Sequence, residues 1–334
     1  MDTPILDPQK AEDLENGVNQ GVIEPTLEEQ EAGAITIQSV DEVGALALAP
    51  DGNWDKFLSD YDPQYLNTFD TLGCNIFSGI AGLEMFLNAL GNQQYLGENS
   101  YTELSERYNC VASGLNGSMG SSEGQWENGV NTFGFVKHSL WPWDMDTSKD
   151  TFFEPLPTDI IAAGKLALQR FTITHRPVGT DLASIKEALK YAPVKIFIAT
   201  GSYWNNGEPS VIPPTPHAMN HAVIVRRIDD LGIHIRDQYP PYLKVLDANY
   251  KIYYAFQTIL TPKGTKSMQL TIGADGKTFY LEGDLGKLGF ADPASFDKIK
   301  SLTSQGAEVT NAIPPTNPNV PIVGIFEQGI VIHN

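Results

Sequence analysis

The chain has 334 residues, with 41 Asp and Glu against 22 Lys and Arg, for a net charge of −19. That balance excludes nucleic acid or an anionic membrane as the main partner, because neutralising phosphate takes clustered Lys and Arg. No apolar run approaches the ~20 residues that span a bilayer, and the start Met-Asp-Thr-Pro-Ile-Leu-Asp lacks the pattern of a signal peptide.

Residues 1–53 read as an acidic arm in which Lys10 is the only basic residue. So polar a stretch predicts a solvated, partly helical or extended segment, used for contacts within an assembly. An inhibitory propeptide is the alternative, which the arm's shortness and lack of an amphipathic helix pair disfavour. Residues 51–70 predict a loop leading into the stretch that organises the chain. There Cys74 follows Gly73, and Phe77, Ile80, Ala81, Leu83, Met85, Phe86, Ala89 and Leu90 recur at helical spacing, with Gly91 as a C-terminal cap. A cysteine at a helix N-terminus meets orphan N–H groups and the positive dipole end, which favour thiolate over thiol.

Ser100-Tyr-Thr-Glu103 reads as a capping box opening a helix through about Val111, and the Gly-Ser-rich stretch 113–122 reads as a loop. Helices are predicted over 123–133, 158–171 and 182–191. Strands follow at 194–200, 222–227, 232–236 and 251–260. Beyond residue 261 the character changes: 268–272 and 277–281 flank an Ala-Asp-Gly276 turn as a β-hairpin. A short helix is predicted near 293–302, then one or two strands within 320–332. The expected domains are the arm (1–53), a central domain (54–261) and a small β-rich module (262–334).

A thiol becomes a nucleophile only beside a base. His221 opens the β-branched run Ala-Val-Ile-Val225, and Asp237 follows sixteen residues on, past a turn at Asp229-Asp-Leu-Gly232. A hairpin there brings Asp237 back to His221, where its carboxylate sets tautomer and ring orientation while the other ring nitrogen faces Cys74. Cys74 alone would most often be a packed structural cysteine. His217 lies four residues before His221, but Pro213-Pro-Thr-Pro216 rules out a helix and so a metal pair. Trp126, Trp141 and Trp143 read as core. No cofactor motif is present, and no metal is expected.

These residues resemble the papain-like cysteine peptidases. Gly73-Cys74 at a helix head, Leu104-Ser-Glu106, Gly134 before Trp141-Pro142, Ala192-Pro-Val194, His221-Ala-Val223 and Asp237 follow the family's order, with Asp237 where Asn is usual. Phe69-Asp-Thr71 is similar to the branch found in bacteriophage genomes. The resemblance implies an α+β, two-lobed fold, with a helical lobe and a β-barrel-like lobe around a cleft. It also implies peptide-bond hydrolysis with Cys74 as nucleophile, His221 as acid/base and Asp237 as its orienter. The family's oxyanion glutamine, six residues before the nucleophile, is here Thr68, with Asn67 beside it, and these two are the oxyanion candidates. Asn75 stands where Trp is usual. Gly120 and Ser121 match paired glycines that hydrogen-bond substrate backbone, and Gly73, Asn220 and Tyr239 complete the candidate substrate-binding set. Secreted members carry several disulfides; two cysteines here imply free thiols and a reducing compartment, the host cytoplasm or a virion. The expected partners are a polypeptide substrate and assembly proteins met through the arm and module. Two other readings stay open: cell-wall amide hydrolysis or transpeptidation on the same scaffold, and a weakly active or inert structural adaptor of a viral particle.

Overall fold

The computed structural model describes residues 10, 12–13, 16–18, 22–24, 48–89, 103–205 and 209–263, together with the strands of a C-terminal unit. The chain divides into two compact units, Met1–Pro262 and Lys263–Asn334.

Helix α1 (Cys74–Ala89) is buried on every face from Cys74 to Leu87. Its sequence allows this because small residues face its tightest neighbours. A Cβ on Gly79 would lie 2.7 Å from the Trp126 ring, and one on Gly82 would lie 3.1 Å from Ile224 Cδ1. Helix α2 (Glu106–Ala112) begins at Ser105, whose hydroxyl accepts from Tyr108 N. Helix α3 (Glu123–Phe133) opens with a reciprocal capping box between Ser122 and Gln125. The short α4 (Lys149–Phe152), α5 (Thr158–Arg170) and α6 (Leu182–Leu189) follow.

The sheet comprises β1 (Phe171–Pro177), β2 (Val194–Ile198), β3 (His221–Asp229), β4 (Gly232–Arg236), β5 (Leu243–Leu246) and β6 (Tyr254–Pro262). Their order is β1-β6-β2-β3-β4-β5, antiparallel throughout. β2 and β4 are wholly buried, as is β3 from His221 to Arg226, which explains their unbroken apolar and β-branched runs. Register places His221 opposite Ile198, and Ile224 opposite Arg236. Asp237 therefore leaves β4 level with the start of β3, as the Asp229–Gly232 turn requires.

The α+β class expected from the sequence is the class found. Some elements differ from the expectation. The helix expected from residue 100 starts at Glu106 on a Ser105 cap; Ser100 and the expected cap Gly91 lie outside the described residues. The helix expected to reach Phe171 ends at Arg170, because Phe171 turns extended and pairs with Pro262 as β1 begins. Strands β1 and β5, both unforeseen, form the two edges of the sheet, against β6 and β4.

In the second unit, β7 (Gln269–Ile272) and β8 (Phe279–Gly283) pair antiparallel as the expected hairpin, and β9 (Gly286–Phe290) adds to β8. β10 (Ile322–Phe326) and β11 (Gly329–Ile332) form a separate antiparallel pair. The helix expected near 293–302 lies outside the described residues.

Candidate active site

Cys74 begins α1, and His221 begins β3. Both side chains are fully buried. His221 Nε2 and Asp237 Oδ1 are 2.7 Å apart. The second carboxylate oxygen, Oδ2, accepts from Trp204 Nε1 at 2.9 Å and from Lys244 Nζ at 2.6 Å. Burial alone would raise the Asp237 pKa, but the Lys244 ammonium and the imidazole outweigh it and hold the group well below the usual carboxylate range. Asp237 is thus an anion that only accepts, so His221 Nε2 must carry the proton. His221 Nδ1 is buried and without a hydrogen-bond partner among the described residues. The ring is fixed by Trp204, edge-on at 5.7 Å between centroids, and by Tyr239 at 5.5 Å.

The Cys74 thiol is pushed up to about 12, first by burial; a backbone hydrogen bond with Ala222 works the other way, Asp70 and Asp237 add to the rise, and Lys10 opposes it. The sulfur therefore lies against the backbone of the residue that follows His221. The thiolate expected at this helix N-terminus is not the resting form: loss of solvent outweighs the dipole. Both cysteines are free and buried.

The cover comes from the arm. Val22, 2% exposed, packs with Cys74, Phe197, Met219, Ala222 and Phe256. Its backbone makes a parallel bridge with Ser121, and Ile23 N donates to Ser121 O at 3.1 Å. Asn220 Nδ2 donates to Val18 O at 3.1 Å. Lys10 is ion-paired with Asp70 and lies 4.9 Å from the centre of the Tyr239 ring. Three of the five residues expected to hold substrate (Ser121, Asn220 and Tyr239) thus hold the chain's own arm. Gly120 is buried beside Ser121. Gly73 caps α1, its carbonyl accepting from Ile76 N and Phe77 N. The arm expected to be solvated is, at these described residues, packed into the site.

Neither oxyanion candidate turns toward the sulfur. Asn67 Nδ2 donates to Asp146 Oδ1 at 2.8 Å, Thr68 Oγ1 donates to Thr147 O at 3.5 Å, and both residues are exposed. Gln64 is a nearby amide that the sequence reading did not single out. It is buried, and its Nε2 donates at 3.0 Å to Asp70 Oδ1, which also receives Leu72 N at 2.9 Å. A bridge between Tyr65 and Asp70 closes a small loop that carries Asn67 and Thr68 outward. Gln64 stands at the start of this loop, ten positions before Cys74. Trp204 and Lys244 were also missed, because each acts through Asp237 from a distant loop and an edge strand. Leu72, at φ +54°, is a non-glycine residue in the left-handed region two positions before Cys74. Such a conformation marks local strain where geometry matters.

Asn75 fills the place of the usual tryptophan with a polar network. Its Nδ2 donates to Ser122 O at 2.7 Å, and its Oδ1 accepts from Lys195 Nζ at 2.7 Å. Lys195 in turn pairs with Glu123 at 2.6 Å. This ties the Ser121 loop to the head of α1.

Two carboxylate groupings could hold a cation by distance. Glu123, Glu127 and His175 form one and Asp62, Glu84 and Glu106 the other, with atoms within 4.8 Å in each. Each already contains a cation: Lys195 on Glu123, and Arg236 near Glu84 and Asp62. In the second group burial, then Asp62, push Glu84 up to about 8, against the pull of Arg236. An ordinary glutamate, near 4.5, is ionised in the unfolded chain at neutral pH, so the native state binds the extra proton between those values. Stability from this group is complete below about 4.5 and is lost as pH rises toward 8. Thermal unfolding followed from pH 5 to 8.5 is expected to show a falling midpoint, and Glu84→Gln to flatten that fall.

No protein-family model matches the chain, and no curated protein matches it. Solved structures do. A digestive procathepsin L2 proteinase from Tenebrio molitor larval midgut is 15% identical, covering 77% of this chain and 81% of its own, with a TM-score of 0.48. Procathepsin L 3 of the same insect is also 15% identical, with 75% and 78% covered and a TM-score of 0.43. A Carica candamarcensis cysteine protease is 13% identical, with 62% and 96% covered and a TM-score of 0.43. Among the described residues no helix is long and apolar enough to cross a membrane.

Proposed function

We propose that the chain is a latent cysteine peptidase of the papain-like kind, with its own arm lying in the substrate cleft. The observation that carries this reading is the oriented His221: its Nε2 proton is committed to an anionic Asp237, its Nδ1 is buried and unpartnered among the described residues, and the next residue in the strand, Ala222, bonds the Cys74 sulfur through its backbone. Once the arm leaves, solvent returns to the site, Nδ1 takes the thiol proton, and the thiolate attacks a peptide carbonyl. Imidazolium then protonates the leaving amine, and water completes the cycle by the same groups in reverse. The Cys74 N–H and Gln64 Nε2 are the donors for the developing oxyanion, in place of Thr68 and Asn67.

The test uses the full chain with both arm anchors removed, Lys10→Gln/Val22→Asp. Hydrolysis of an unfolded protein is expected from this variant, none after Cys74→Ala, and a drop of about 100- to 1000-fold after Gln64→Ala. Unchanged hydrolysis without Cys74 would end this reading.

The buried, high-pKa thiol favours a second reading, an inert scaffold in an assembly. Phe69-Asp-Thr71 is the feature that speaks for a bacteriophage-type member and a place in a virion. Equal, slow alkylation of Cys74 and Cys110 in the variant would favour the scaffold.

A further inference from the structure

Lys10 is the arm's only cation, yet it is the charged arm residue buried most deeply among those described, at 7% exposure. An ammonium is costly to bury without a built partner, and here the partner is built. Asp70 Oδ1 is fixed by Gln64 Nε2 and Leu72 N, at 3.0 and 2.9 Å. Asp70 Oδ2 accepts from Tyr239 OH at 2.7 Å and pairs with Lys10. The Tyr239 ring offers its π-system to the same ammonium, 4.9 Å from the centroid. None of these holding groups belongs to the arm. When Lys10 leaves, a largely buried carboxylate oriented by Gln64, Leu72 N and Tyr239, together with the Tyr239 ring, is left without its cation.

We propose that Asp70 and Tyr239 form a cation-recognition subsite beside Cys74, occupied in this state by Lys10, which accepts the ammonium or guanidinium group of a bound peptide. The peptide part of this proposal rests on the peptidase reading; the cation preference does not. Val22 in its apolar pocket and Lys10 on Asp70 are then two anchors of one ligand, and a peptide competing with the arm gains by supplying the charge. The subsite lies within electrostatic reach of the sulfur, since Asp70 and Lys10 act on the Cys74 thiol in opposite directions.

The preference can be read without any hydrolysis. In Lys10→Gln/Val22→Asp, the rate of Cys74 modification by cationic 2-aminoethyl methanethiosulfonate is compared with that by neutral methyl methanethiosulfonate. Each rate is divided by its value for a small free thiol, and mass spectrometry separates Cys74 from Cys110. The corrected ratio is expected to be about tenfold in favour of the cation, and to fall to near one in Asp70→Asn. A ratio near one before Asp70 is changed overturns the proposal. Should Asp70→Asn fail to fold, Tyr239→Leu is expected to lower the ratio two- to threefold, and no change overturns it. Two peptides differing only as lysine or norleucine then test the substrate side. Faster hydrolysis of the lysine peptide supports the subsite, and equal hydrolysis overturns it. A high reagent ratio with no hydrolysis of either peptide supports the subsite while ending the peptidase reading.

Discussion

Lys10→Gln/Val22→Asp is expected to speed iodoacetamide alkylation of Cys74 at neutral pH by about two to three orders of magnitude, leaving Cys110 unchanged. The reasoning starts from Val22. Its side chain is buried in one apolar cluster with Cys74, Phe197, Met219, Ala222 and Phe256. A carboxylate forced into that cluster would have no partner there, and its desolvation exceeds what one aliphatic contact returns. Without the Lys10–Asp70 pair, the second anchor is gone as well. The arm then withdraws, and the thiol regains solvent. Burial is the first cause holding the Cys74 pKa near 12. Each unit by which that value falls multiplies the thiolate fraction by about ten. Mass-spectrometric rates at the two cysteines measure this directly. Cys110, in α2 and equally buried, serves as the control because it lies in a different core cluster from Val22.

The second large effect is on stability. Lys244→Met is expected to destabilise the folded state by about 3–5 kcal/mol, as read by urea unfolding at pH 7. Lys244 Nζ donates to Asp237 Oδ2, Tyr239 O and Pro241 O, at 2.6, 2.7 and 2.7 Å, in a site that excludes solvent. Burial lowers the Lys244 pKa, and the neighbouring carboxylate works against that. Methionine matches the stem but leaves Asp237 buried beside His221 with half its compensation missing. Two adjustments then compete. Either Asp237 takes up a proton, or His221 becomes imidazolium and supplies the missing charge. In both cases the Nδ1 lone pair loses the definition that the present arrangement confers. Asp237→Asn together with Lys244→Met is expected to recover part of the loss, because a neutral amide needs no counter-charge.

Much of this site was legible in the sequence for local reasons. Apolar spacing after Cys74 announced α1, and the Asp229–Gly232 turn between two β-branched runs fixed the distance at which Asp237 returns to His221. Those signals depend on neighbours within a turn or a hairpin. Gln64, the oxyanion donor proposed above, was hidden because a count of residues assumes that no loop intervenes, and the Tyr65–Asp70 bridge inserts one. Trp204 and Lys244 were hidden because their role depends on a carboxylate 33 and 7 positions away, reached only once the sheet is assembled. Lys10 and Val22 were the least legible. Nothing local in an acidic stretch distinguishes a solvated arm from one whose single cation, and one of whose valines, pack into the site. The edge strands β1 and β5 were missed for the same kind of reason: neither Phe171–Pro177 nor the short Leu243–Leu246 declares itself without β6 or β4 alongside.

The central claim is that the Cys74 sulfur and the His221 Nδ1 lone pair act as one unit once the arm is gone. The most direct measurement is the pH dependence of Cys74 alkylation in Lys10→Gln/Val22→Asp, with and without His221→Ala. A paired thiol and imidazole predict a rate that stays high well below the ordinary thiol range, near 8.5, and that collapses to a single thiol titration when His221 is removed. One ordinary titration, identical in both proteins, would contradict the account.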